Sequence, residues 1–447
     1  MTAIDTSAVE AEAAVRGPKA SHVAAVAAGN ALEFYDFLTY AFFAAQIGRS
    51  FFPSGDPTSS LLASLATFGA GFLMRPVGAF VLGRVGDRMG RKPALLISFA
   101  LMGVGMTGLA LTPPAASIGL AAPILAIVCR LIQGFALGGE VGSSTSFLVE
   151  AAPPHRRGFY VSLQYMSQDG SILVSGLIGF ALSSSISPAA LDAWGWRVAF
   201  LIGASIVPFG LMLRRGLAET LHGEGGHIPA LEGRRFPFAA LVALSLLLLA
   251  GGTTVSYVQD YLTTLSSETL HMASSMSFLA PIAVGACGLV ADPLGGWLSD
   301  RFGRKPVMLA PWVLLLLTAI PAFGVLARER SAIALVGLAG LLSFSSGIAQ
   351  SSMLTSIAEG MPKRIRCGSL GLIYATAICI FGGSTQFNVA LLGKLTHSPM
   401  APAWYMTAGV LVSLIAMLFL PETAPVRLAR ASERARRAEA AAVAAEV

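Results

Sequence analysis

The sequence predicts an all-α integral membrane fold of twelve transmembrane helices in two six-helix pseudo-repeats, and three observations carry that prediction. The composition is too apolar for a water-exposed domain: 55% of the 447 residues are hydrophobic and 12% charged, with a mean hydropathy of +0.71. Twelve apolar runs, centred near residues 35, 71, 101, 130, 172, 204, 247, 285, 315, 343, 379 and 410, are long enough to span a bilayer. A hydrocarbon core of roughly 30 Å takes about 20 helical residues. A charged loop occurs twice, after the second helix of each six-helix set. The alternating strands of a membrane barrel are absent, so backbone hydrogen bonds must close within helices.

In chain order, residues 1–20 ("MTAIDTSAVEAEAAVRGPKA") read as a disordered cytoplasmic N-terminus, with no apolar core and cleavage site of a signal peptide. Residues 21–215 form the first six-helix half, and 216–235 a polar cytoplasmic linker. Residues 236–421 form the second half, and 422–447 an Ala- and Arg-rich cytoplasmic tail. The runs near 101, 204, 247, 315 and 410 are clean, whereas those near 35, 130, 172 and 343 are broken by polar residues and glycine. That contrast separates scaffold from pathway.

Loops after even-numbered runs hold most of the cations, among them Arg84, Arg156, Arg157, Arg234, Lys305 and Arg364, while the other loops hold Arg49, Arg328, Arg330 and Lys394. Cytoplasmic loops carry the excess of Lys and Arg, so both termini are expected inside. The net charge of +6 is therefore a topology signal, and its spread over short loops excludes a nucleic-acid footprint.

"GRVGDRMGRKP" from Gly83 returns as "GWLSDRFGRKP" from Gly296, an offset of 296 − 83 = 213 residues. "EAAPPHRRG" from Glu150 returns as "EGMPKRIRC" from Glu359, an offset of 359 − 150 = 209. Duplication of a six-helix unit explains both, and parallel repeats place a substrate site between the halves near the bilayer midplane. In the first loop Gly83 and Gly86 are expected to allow close backbone approach, Asp87 and Arg88 to pair locally, Gly90 to reverse the chain, and Arg91 and Lys92 to anchor its face.

Charges inside the membrane come next: Glu33, Asp36, Arg75, Arg130, Glu140 and Asp169, with Arg197, Asp260 and Asp292 nearer helix ends. A lone charge at the bilayer centre costs at least roughly 2.5–3.5 kcal/mol, so these must face partners or water. Glu33 and Asp36 are three apart and share a helix face. Proton coupling requires such carboxyls, whose hold on a proton is set by desolvation, by like charge and by a neighbouring Arg. Glu33, Asp36, Glu140 and Asp169 are the candidates. A polar contact that locks the bundle fits Glu33 and Asp36 as an alternative, and Glu140 could instead pair with a cytoplasmic Arg. Arg75 and Arg130 offer planar forks for a substrate carboxylate. Proton relay is the alternative at Arg130, and a conformational lock ahead of Pro76 at Arg75. Gln164 and Gln168, four apart beside Tyr165, together with Ser256, Tyr257, Gln259, Gln386 and Asn388, supply hydrogen-bonding groups for substrate or for neighbouring helices. Asp260 either tunes selectivity or faces external water.

Other chemistries are excluded by what is missing. "GVGMTG" (103–108) lies within a membrane run with no strand before it, and reads as helix packing. The six histidines and Cys129, Cys287, Cys367 and Cys379 show no metal spacing, and no Walker loop or nucleophile elbow occurs. An ATP-driven pump and a membrane hydrolase therefore have no support, and no cofactor is expected beyond a proton gradient.

The doubled Gly-x-x-x-Asp-Arg-x-Gly-Arg-Lys loop resembles the signature loop of the major facilitator superfamily. "GNALEFYDF", "FGAGFLMRPVGA", "RLIQGFALGGEVG", "FGGSTQF" and "APAWY" are similar to its metabolite:proton symporters, and within them to the citrate and tricarballylate carriers. Asn30 and Tyr35, in the first stretch, join the expected substrate contacts. The resemblance implies alternating access, with a latch of Gly83, Asp87, Arg88, Gly90 and Arg91 in one half and Gly296, Asp300, Arg301, Gly303 and Arg304 in the other. Prolines at 93 and 306 stand where that pattern often has a further cation. It also implies proton-coupled uptake of a di- or tricarboxylate by a monomer in the bacterial inner membrane. Symport of 2-oxoglutarate, shikimate or a betaine is the alternative. Drug:proton antiport is disfavoured by the absence of proline from "YVSLQYMSQDGSILVSGLIGF".

Overall fold

Within the bundle every described regular element is a helix. The computed structural model describes residues 20–89, 91–138, 140–215, 237–362 and 365–428. Side chains of 20–28, 32, 33, 86, 87, 91, 92, 94, 95, 140, 143, 151, 206, 209–215 and 367 stand outside that description. The expectations for residues 1–19, for the linker 216–235 and for the tail beyond 428 fall outside the described residues.

The twelve spans are α1 (Ala20–Phe42, resumed at Ala44–Phe51), α2 (Pro57–Leu73 and Arg75–Met89), α3 (Arg91–Leu111), α4 (Ala121–Leu137 and Glu140–Ala151), α5 (Arg157–Ser185) and α6 (Trp196–Arg215), then α7 (Phe238–Thr264), α8 (Leu279–Phe302), α9 (Arg304–Glu329), α10 (Ala332–Gly360), α11 (Arg366–Ala377 and Gly383–Thr396) and α12 (Ala401–Phe419). All twelve expected centres fall on them. Seven, namely α2 and α7 to α12, are long and apolar enough to cross a membrane by length and composition. The remaining five, α1 and α3 to α6, belong to the first half, and among the described residues α3 and α4 contain the shorter apolar helices Leu96–Leu111 and Ala121–Leu137.

The breaks have local causes. α2 interrupts at Met74, two residues before Pro76, whose missing N–H frees a carbonyl and whose ring disfavours a continuous turn. α11 widens into a π-helical turn at Ile378–Gly382. Asp56 caps α2, accepting from the Thr58 N–H at 3.1 Å ahead of Pro57. Glu422 does the same for α9, accepting from the N–H groups of Arg304 and Lys305 at 2.9 and 3.1 Å. The boundary expected between 421 and 422 therefore cuts through a helix cap.

Two narrow seams set the architecture. Within the first half, α2 and α4 meet backbone to backbone, Gly78 against Phe135 and Gly134 against Gly71. Between the halves, α5 lies on α8 from Gly158 and Gly296 at one end to Gly179 and Phe278 at the other. Without a hydrophobic driving force between helices in lipid, such close backbone approach supplies the packing.

Candidate functional site

The first half buries a charged cluster at its centre. Asp36 on α1 is 0% exposed and Arg130 on α4 is 2% exposed, with 3.9 Å between Arg130 Nη1 and Asp36 Oδ2. Gln133, one turn from Arg130, ties them together: it accepts from Arg130 Nη1 at 2.8 Å and donates to Asp36 Oδ1 at 3.2 Å. Sequence reading passed over Gln133, although its i+3 spacing from Arg130 was a usable signal. The Arg130 guanidinium lies against Tyr40, Phe68 and Phe37 at 4.4, 5.3 and 5.5 Å. That of Arg75 lies against Phe72 and Phe37 at 4.5 and 5.0 Å. Asp36 Oδ2, Arg130 Nε and Arg75 Nη2 have no hydrogen-bond partner among the described residues, so the cluster keeps spare donor and acceptor capacity.

Across the aromatic wall of Phe37, Phe72 and Tyr257 a cavity opens between the halves. It is lined by Phe34 and Phe37 from α1, Tyr165, Gln168 and Asp169 from α5, Ser256, Tyr257, Gln259 and Asp260 from α7, Asp292 from α8, Ser346 and Gln350 from α10, and Tyr374 from α11. Gln259 donates to Ser346 at 2.9 Å and Gln350 to Ser256 at 3.2 Å, which orders its second-half wall. Three carboxyls and no described cation line it.

The expected site residues separate accordingly. Gln168, Asp169 and Tyr257 reach the cavity. Asn30 instead donates to the Gln164 carbonyl at 3.1 Å and to Ser167 at 2.8 Å, and Gln164 accepts from Thr145, so both join helices of the first half. Tyr35 donates to the Ala199 carbonyl on α6 at 2.8 Å and Asn388 to Tyr405 on α12 at 3.2 Å, each facing away from the cavity. Gln386 is buried with neither amide atom partnered among the described residues. The side chains of Glu33 and Glu140 lie outside the described residues. One placement corrects the sequence reading, and a second chooses between its alternatives. Asp292 sits in the middle of α8, 1% exposed, because that helix runs on past its apolar core to Phe302. Asp260 faces the cavity rather than external water.

Both ends of the interface are tied. On the signature-loop face Asp300 accepts from the N–H groups of Gly158 and Phe159 at 2.8 and 2.9 Å, so the end of α8 caps α5 of the other half. Arg304, 0% exposed, binds Asp300 at 2.7 Å and Glu359 at 3.0 Å. Arg157 pairs with Glu359 at 3.9 Å and Arg366 with Glu150 at 3.6 Å. These two contacts are images of one another under the sequence repeat, each half lending its Arg to the other's Glu. Gly303, at φ +104°, makes the expected reversal, and Gly296 lies close against Gly158. Arg301 is exposed and stacks near Trp297 at 5.5 Å, outside this network. Of the first-half latch, Arg88 is exposed, and Gly83 has open space where a Cβ would stand, so the close approach expected there does not occur. Asp87, Gly90 and Arg91 lie outside the described residues. On the opposite face Arg49 binds Asp192 at 2.8 Å and Glu268 at 3.1 Å, and Lys394 binds Asp56 at 2.7 Å. The cavity lies between these two sets of ties.

Twelve spans in two halves around a polar cavity define a membrane transporter, and the chain belongs to the Major Facilitator Superfamily, whose model matches residues 26–384. It is 36% identical to a citrate-proton symporter of Klebsiella pneumoniae over 437 residues, covering 96% of this chain and 98% of that one. It is 35% identical to an alpha-ketoglutarate permease of Escherichia coli (89% and 93% covered) and 33% identical to a proline/betaine transporter of the same species (90% and 83%). A crystal structure of a D-xylose-proton symporter superposes with a TM-score of 0.72 at 19% identity over 90% of this chain and 98% of that one, a likeness of fold alone.

Proposed function

We propose that this protein is a proton-driven symporter that carries a small di- or tricarboxylate, of the citrate and tricarballylate kind, into the cell. It does so as a monomer in the bacterial inner membrane, with both termini and the signature-loop face cytoplasmic and the proton gradient as its only energy source. The observation that carries this reading is the buried Asp36–Gln133–Arg130 cluster set behind the cavity wall. It couples a titratable carboxyl to a guanidinium whose release would free a cation for an anionic substrate. Arg75, with a free Nη2, is the second such cation. The relationship to citrate-proton symporters over nearly the whole chain supports the substrate class.

The cavity acids shape the coupling. Two full negative charges about 6 Å apart at an effective dielectric near 20 repel by about 3 kcal/mol. A carboxylate bound in the cavity therefore favours protons on Asp169, Asp260 and Asp292, so that substrate and protons bind cooperatively. Purified protein in liposomes, given an inward proton gradient and labelled citrate, tricarballylate, 2-oxoglutarate, shikimate and betaine, tests the reading directly. Gradient-dependent accumulation of a carboxylate is expected, and export of a cationic drug with no carboxylate uptake would overturn it.

A second reading is favoured by the cavity lining itself. Carboxyls interleaved with Tyr165, Tyr257, Phe37 and Tyr374 suit a quaternary ammonium group. Betaine accumulation in the same assay would select it.

A further inference from the structure

Asp169 and Asp292 come from opposite halves and meet in the middle of the seam between α5 and α8. The Asp169 carboxyl lies against Gly288, one turn before Asp292, which brings the two carboxyls close enough to share a hydrogen bond. Gly288 makes room for the contact, since a side chain there would overlap the Asp169 carboxyl, and Asp292 Oδ1 lies against Gly347 of α10. Among the described residues no N–H or O–H donates to either carboxyl, and Asp292 Oδ2 is buried without a partner. Ionised carboxylates only accept, so a hydrogen bond between two of them requires a proton on one. The titratable groups facing the pair are Tyr165 on α5, Asp260 and Tyr257 on α7, Cys287 on α8 and Tyr374 on α11, whereas α10 and α1 present Ser346, Gly347, Gln350, Phe34 and Phe37. No described cation lines the cavity to replace the proton, because Arg75 and Arg130 lie beyond Phe37.

We propose that Asp169 and Asp292 form a proton-binding site shared between the two halves, in which one proton joins α5 to α8 in this conformation and is given up when the halves part. Nothing in the sequence repeat or the signature loops assigns Asp292 such a role. The inference deepens the proton-coupled reading and rests on it for its meaning in transport, but the site itself is open to test without any substrate. Rocking one half against the other must pull these carboxyls apart, and each then ionises towards the water admitted to the cavity. The proton is thereby a ligand of one conformation only, and its concentration shifts the balance between conformations.

The test is a distance measured across the interface as pH changes. Spin labels are placed at Gly55→Cys and Thr396→Cys, both exposed on the face opposite the signature loops, in protein whose four native cysteines are replaced by serine. Without substrate, the closed distance is expected to dominate at low pH and to give way to a longer one as pH rises. Asp292→Asn, whose amide donates permanently to Asp169, is expected to lose that pH-dependent shift and stay closed throughout. Asp169→Asn provides the same comparison from the other half and guards against one variant failing to fold. A wild-type pH shift retained in both asparagine variants, or no shift in the wild type, would overturn the proposal. Transport of an unexpected solute, by contrast, would overturn only the substrate reading.

Discussion

Asp36 shows how much of one residue's role is decided by direction. Tyr35 and Asp36 are neighbours on α1, and about 100° of helical rotation between them sends one to α6 and the other to Arg130. That Asp36 needs a buried partner was legible from an acid in an apolar run. That Tyr35, Asn30 and Asn388 are joints between helices was not, because composition does not say which neighbour a face meets. Asp292 shows the reverse: its isolated charge was visible, but its value comes from Asp169, 123 residues away (292 − 169) on another half, and no local pattern reports such a pairing. Asp36→Asn keeps the hydrogen bond from Gln133 while removing the titrating group. It is therefore expected to abolish gradient-driven accumulation in liposomes while sparing substrate exchange, and loss of exchange as well would mark Asp36 as structural. Arg304 is a different case, since removing one member of a buried ionic set leaves the rest uncompensated. Arg304→Ala should cost about 3–5 kcal/mol and lower the unfolding temperature markedly in a detergent melt.

At the scale of elements, the helices and the repeat were legible because hydrophobic length and doubled motifs are local signals. Of the residues expected to form a latch, Asp300 accepts from the N-terminus of α5 and Arg304 binds Glu359. These partners, with Arg157, come from a second repeated stretch. Its Glu150/Arg157 and Glu359/Arg366 spacing was visible without its crossed pairing. The α5–α8 seam allows a sharp test. Gly288→Val forces a branched side chain into the space of the Asp169 carboxyl. Overpacking of this kind costs typically about 1–3 kcal/mol, so a lowered melting temperature and an α5–α8 contact displaced in spin-label distances are expected. Gly83→Ala, facing open space inside α2, should leave the α5–α8 contact in place without lowering the melting temperature.

For the whole molecule, the two closed faces differ in kind. The Asp56–Lys394 tie is exposed, and the hydrogen-bonded Lys394 ammonium holds the Asp56 carboxyl well below the usual carboxylate range. A depressed value means that the tie is complete above the ordinary range and is lost only as pH falls through the lowered one. Between pH 5 and 8 Asp56→Asn should therefore change the interface by the same amount at every pH, as read by the spin-label pair on that face. High salt should weaken the tie in the parent protein, since exposed charges are screened within about 10 Å at 0.1 M.

The two sets of ties are not equal barriers. The signature-loop face is fastened by a desolvated Arg304 set and a carboxylate seated on a helix end, while the other face rests on solvated pairs at Arg49 and Lys394. Thermal fluctuation breaks the solvated fastenings first, so an unloaded carrier spends its excursions opening away from its signature loops. In the proposed orientation, with those loops cytoplasmic, its idle posture points outward.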